Sequence, residues 1–153
     1  MTPDGVSTED WDRVHELALQ VVNSSAEGDG SASDAASLRL RELLDDLQEK
    51  YGPLPSLLAT RADYVERPED REYWLLAAYQ QAHDRGDDKN LVWTAASLAA
   101  FQLEEALDVT KGAQWLNALE GHLQAFPDPA EANEAVRLRG VLDTLTKQCV
   151  ADE

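Results

Sequence analysis

Residues 35–53, AASLRLRELLDDLQEKYGP, decide the fold class. Ala36, Leu40, Leu43, Leu44, Leu47 and Tyr51 recur at offsets of 0, 4, 7, 8, 11 and 15, the spacing that lines side chains along one stripe of an α-helix. Arg39, Arg41, Glu42, Asp45 and Asp46 lie off that stripe. Gly52-Pro53 then ends the helix, because a glycine accepts the backbone angles of a helix stop and a proline cannot continue the hydrogen-bond ladder. Asp34 is the expected N-cap of this segment.

The same reading extends in both directions. Ser7 followed by Asp10 is a capping-type start, and Trp11, Val14, Ala18, Val21 and Val22 behind it predict a helix over about 8–23. Asn23 to Ser33 (NSSAEGDGSAS) concentrates Gly, Ser and Asp, which predicts a flexible loop. Downstream, a short helix fits Ser56 to Val65. Pro68 opens another, with Glu69 and Asp70 in its first turn, and Gly86 closes it. Asp87 or Asp88 caps a helix over about 89–107 whose apolar residues cover more than one face, so this helix is expected to be central. Thr110 begins a helix bearing Trp115, Leu116, Leu119, Leu123 and Phe126. Asp128-Pro129 begins the last, with Ala135, Leu138, Leu142, Leu145 and Cys149 as its buried stripe. No stretch sustains the polar–apolar alternation of a strand. The expectation is an all-α protein of about seven helices packed as antiparallel hairpins, one domain over 1–153, with disordered ends at 1–6 and 150–153.

Gly52 and Gly86 are 34 residues apart and Gly121 follows after 35 more, a period typical of helical repeats. Between Leu91 and Phe126, small Ala96 and Ala100 precede EEALD at 104–108, after which Ala113 and Trp115-Leu116 begin a second helix. Over about 68–126 the chain thus resembles the tetratricopeptide helical-hairpin scaffolds, differing where Tyr79 stands in place of a small residue. The resemblance implies a short right-handed array and a protein-binding role.

Thirty acidic side chains against 13 basic ones give a formal charge of −17. The acid is distributed: residues 1–34 carry −7, 35–90 carry −4, 91–134 carry −6, and 135–153 are neutral. Such a balance repels phosphate backbones and anionic lipid heads and favours basic partners, so neither direct nucleic-acid binding nor membrane binding is expected. A lone Cys149 cannot form an internal disulfide, the start shows no signal-peptide pattern, and the uncharged run Asn90–Leu103 is shorter than the ~20 residues of a membrane span. These features predict a cytoplasmic protein.

No phosphate loop, dinucleotide fingerprint, zinc-protease histidine pair or nucleophile elbow occurs. His15, His83 and His122 are scattered. Asp12 and His15 supply only two metal ligands, and the Glu27–Asp34 segment lacks the ligand order of a calcium loop. Cys149 reads as an inert buried thiol. No catalytic residue, metal or cofactor is therefore assigned.

Trp11, Trp74 and Trp115 fit core stripes. Trp93 points with Ala100 and Glu104, toward the edge of the buried faces. With Glu104, Glu105 and Asp108 it forms the candidate partner-binding site, since an aromatic anchor beside carboxylates suits a basic protein. The expected function is a non-catalytic domain that engages a basic protein partner, most concretely an immunity- or antitoxin-type inhibitor, with nucleic-acid mimicry as a variant. A helical enzyme with a dispersed pocket and a structural subunit of a homo-oligomer are the alternatives.

Overall fold

The computed structural model describes residues 1–151, which form seven α-helices and no strand. These are α1 (Thr8–Ala26), α2 (Gly30–Tyr51), α3 (Pro55–Asp63), α4 (Pro68–Arg85), α5 (Asp88–Ala100), α6 (Val109–Ala125) and α7 (Pro129–Ala151). A single π-turn, Phe101–Glu105, extends α5. Connections of only a few residues make consecutive helices neighbours. α1 packs on α2, α3 on α4, and α5 touches α3, α4, α6 and α7. The central position expected of α5 follows from its composition: Leu91, Val92, Ala95, Ala96, Leu98 and Ala99 are all buried.

The stripe that decided the fold class is the one that packs. Leu40, Leu43, Leu44 and Leu47 of α2 meet Val14 of α1, Leu54, and Leu57 of α3 in one cluster, with Trp11 and Tyr51 at its edge. A second cluster joins Val92, Ala95, Ala96 and Ala99 to Leu116 and Leu119 of α6 and to Ala135, Leu138 and Leu142 of α7. A third, around Leu75, Leu98 and Phe101, holds Trp74 and shares Tyr79 and Trp115 with the second.

Several boundaries differ from expectation. The predicted loop at 23–33 shrinks to residues 27–29. α1 runs on to Ala26 and α2 begins at Gly30, capped by Asp29 rather than Asp34; the Asp29 carboxylate accepts the Ala32 N–H at 3.0 Å. Gly28, at φ +77°, makes the reversal, so the Gly and Asp that read as a loop are helix caps. Residues 1–6, expected to be a disordered end, lie against the helices. Val6 is fully buried, and Asp4 accepts hydrogen bonds from the Ser56 N–H and hydroxyl, both at 2.7 Å, which docks the N-terminus on α3. At the other end Val150 and Ala151 lie in α7, and 152–153 fall outside the described residues.

Two side chains change faces. Val22 is exposed because it sits one residue, about 100°, past the stripe. Cys149, expected to be buried, is exposed, as is every α7 residue from Thr146 through Ala151, where the helix outruns its neighbours.

The helix expected to run to 107 instead widens. Ala106 donates its N–H to the Phe101 carbonyl at 2.9 Å and Asp108 to that of Gln102 at 2.7 Å. Leu107 closes the turn at φ +55°, a left-handed position usually held by glycine. The wide turn lowers Leu103 onto α6, where Gly112 leaves room for it: a methyl group there would stand 2.6 Å from Leu103 Cγ.

Candidate functional site

Trp93 lies on the outer side of α5 and is 37% exposed. With Ala96, Ser97 and Ala100, one face of α5 by their three- and four-residue spacing, it lines a groove of about 370 Å³ whose other wall is Ala130, Glu131 and Glu134 of α7. Small residues on both helices keep the floor shallow, while Trp93 stands at one end. Its Nε1–H points to Asp128 Oδ2 at 3.4 Å, and the Lys89 ammonium lies 5.7 Å from its ring centroid. The indole face therefore already accepts a cation.

The α7 wall is built by the local sequence. Asp128 is the α7 N-cap, with Oδ1 accepting the N–H groups of Ala130 and Glu131 at 3.0 and 3.2 Å. Glu131 and Glu134 follow at three-residue spacing, so all three carboxylates fall on the side facing α5. Glu134 is neutralised by Arg137, whose guanidinium also grips Glu104 through two bonds of 3.0 and 2.7 Å. That fork holds both carboxyls below their usual range and raises the Arg137 pKa. Glu131 differs: no ion pair among the described residues includes it. Partial burial, and then the nearby Asp128 and Glu134 charges, push its pKa up.

The four residues singled out from the sequence part company here. Trp93 and Glu104 lie on the side of α5 and its π-turn that faces α7. Glu105 turns toward α4 and binds Arg71 Nη1 at 2.6 Å. Asp108 caps α6, accepting the Lys111 N–H at 2.9 Å. Asp128, Glu131, Glu134 and Arg137 are the neighbours that sequence reading did not assign. Their mutual spacing was visible at the start of the last helix, but the packing of that helix against Trp93 was not.

Other polar clusters hold the fold together. Asp10, buried at the α1 N-terminus, accepts Lys50 Nζ at 2.7 Å and the Tyr51 hydroxyl at 2.5 Å, and the Lys50 bond, followed by the Tyr51 bond, lowers its pKa. Tyr79 and His122 bond at 2.8 Å beside Trp115 and tie α4 to α6. Asp12 and His15 are both exposed on α1, and among the described residues no group of three His, Cys, Asp or Glu side chains is arranged to hold a metal ion. No helix is long and apolar enough to cross a membrane among those residues.

Compared with known proteins, the chain matches no family model, no curated protein and no solved structure.

Proposed function

We propose that the protein is a non-catalytic binding domain whose acidic helical surface engages a basic protein partner, with the α5–α7 groove at the centre of the contact. The observation that carries this reading is Glu131, a carboxylate held between two others with no cationic partner among the described residues, next to a half-exposed tryptophan whose ring accepts a cation. A partner's Arg or Lys entering the groove would find an aromatic face and an uncompensated carboxylate together. Such an anchor sets the lifetime of a complex, while the −17 surface raises the rate of encounter. The internal pairing of Glu104 and Glu105 with Arg137 and Arg71 moves the weight of the proposed contact from those two residues to Trp93, Asp128 and Glu131. The most concrete form of the proposal is an immunity- or antitoxin-type inhibitor that neutralises a basic protein by covering its surface.

The test is affinity capture from source lysate at low and high salt, using the wild type and the Trp93→Ala/Glu131→Gln variant. A basic protein captured at low salt, lost at high salt, lost with the variant, and inhibited in its own activity by the wild type supports the proposal. Capture of no basic protein by folded wild type, or equal capture by the variant, overturns it.

A further inference from the structure

Along the α5–α7 seam the local sequence treats two carboxylates of α7 differently. Glu134 has Arg137 one turn later, and that guanidinium takes both Glu134 oxygens, at 2.9 and 2.6 Å, together with both oxygens of Glu104. Glu131 has Glu134 one turn later, so its own helix sends it no cation. Among the described residues the Glu131 carboxylate joins no ion pair, and its hydrogen bond to Asp128 is made by its backbone N–H. Asp128 beside it is fully engaged: Oδ1 accepts two backbone N–H groups and Oδ2 faces the Trp93 Nε1–H at 3.4 Å. Glu131 therefore brings two unengaged acceptor oxygens to a groove that ends on the flat indole of Trp93.

The two basic side chains fit such a groove unequally. An ammonium is compact, strongly hydrated and carries three donors that point in different directions. Between Glu131 and Trp93 it would meet the methyl groups of Ala96, Ala100 and Ala130 and one hydroxyl, that of Ser97, which leaves donors without partners as water is excluded. A guanidinium holds its donors in one plane and has bare faces. Two parallel N–H groups on one edge match the two oxygens of a carboxylate, while a face stacks on an indole and needs no hydrogen bond from a methyl floor. The chain contains both cases on this seam. The Lys89 ammonium lies 5.7 Å from the Trp93 ring centroid and joins no ion pair among the described residues, whereas Arg137 forks two carboxylates at once.

We infer that the α5–α7 groove is an arginine-selective site, which takes a guanidinium with one face on Trp93 and one edge forked onto Glu131, and discriminates against lysine. This inference rests on the reading of the groove as the contact for a basic protein and narrows that partner to one presenting an exposed arginine. Trp93 and Glu131 are then the residues that set specificity, and the remaining acidic surface attracts either basic side chain alike.

Isothermal titration calorimetry of the full chain with hexa-arginine and hexa-lysine, equal in length and charge, tests it at low salt. The variants are Trp93→Ala, Glu131→Gln and, as a control for the loss of one exposed carboxylate elsewhere, Glu66→Gln; circular dichroism checks that each is folded. The wild type and Glu66→Gln are expected to bind hexa-arginine roughly tenfold more tightly than hexa-lysine, and Trp93→Ala and Glu131→Gln to bring the two peptides within about twofold by weakening hexa-arginine. Equal affinity of the wild type for both peptides, each weakened by Trp93→Ala and Glu131→Gln, overturns the arginine selectivity and leaves the basic-partner reading standing. An arginine preference that survives both variants places the selectivity elsewhere on the surface and overturns the inference, as does binding of neither peptide.

Discussion

Gly112→Ala tests the joint between the π-turn and α6 more sharply than any other single change. In an exposed helix, replacing an interior glycine with alanine stabilises by about 1 kcal/mol. Gly112 is buried, and its added methyl would lie 2.6 Å from Leu103 Cγ, whereas carbon contacts settle near 3.5–4.0 Å. Leu103 is fully buried among Val92, Ala99, Leu116 and Leu119, so it cannot swing clear. Overpacking of this kind costs about 1–3 kcal/mol. Set against the propensity gain, the net change runs from near zero to a loss of about 2 kcal/mol, or up to roughly 6 °C in melting temperature for a chain of this length. The double-mutant cycle removes the ambiguity. Leu103→Ala alone leaves a cavity and costs about 2–5 kcal/mol. In the Leu103→Ala background the Gly112→Ala methyl meets no clash and fills part of that cavity, so there it stabilises. Urea unfolding of the four proteins, followed by far-ultraviolet circular dichroism, gives the coupling energy, expected at about 1–3 kcal/mol in favour of the double mutant. Additive effects, or a single Gly112→Ala that stabilises by the full propensity difference, would refute the packing described for Leu103.

Asp10→Asn is expected to lower the melting temperature at neutral pH and to flatten the acid limb of stability. Because Lys50 and Tyr51 depress the folded pKa of Asp10, its contribution is complete above the unfolded value near 3.9 and fades as pH falls below about 4; curves for the two proteins that stay parallel down to acid would refute this. Glu131→Gln should do the opposite. A raised folded pKa means that ionised Glu131 opposes folding, so the variant melts higher than wild type above about pH 4–5 and the difference vanishes below that range. A lower melting point at neutral pH would show that the Glu131 carboxylate has a partner in the fold. Arg137→Ala breaks an exposed fork between Glu104 and Glu134, so its stability effect should stay within about 1 kcal/mol, while the extra negative charge beside the groove speeds association with a basic protein; slower association would count against the groove.

How much of this was legible in the chain depended on whether a signal was local. Leucine spacing in α2, the proline start at Pro68 and the glycine and proline stops at Gly52, Gly86 and Pro127 are local, and they placed helices within a few residues. The Gly28-Asp29 turn misled because cap residues and loop residues are the same residues; only the length of chain between the caps distinguishes them. The π-turn left no local mark that the sequence reading used, and the fit of Leu103 over Gly112 is a contact between α6 and the turn that only the packed structure shows. Trp93 was legible as a residue at the edge of the buried faces. Its carboxylate neighbours were not, because Glu104 and Glu105 are adjacent in sequence yet diverge around the π-turn, toward Arg137 on one side and Arg71 on the other. Residues 128, 131 and 134 came into view only when α7 packed against α5.

The central claim, that Trp93 and the unpaired Glu131 receive a basic protein, is tested most directly by association kinetics with the basic protein that the chain captures. Rates would be measured across a salt series for wild type, Trp93→Ala and Glu131→Gln. The expected result is an association rate that falls steeply with salt in all three proteins, and a dissociation rate that rises at least about tenfold in both variants. Association indifferent to salt, with dissociation unchanged by either substitution, would contradict it.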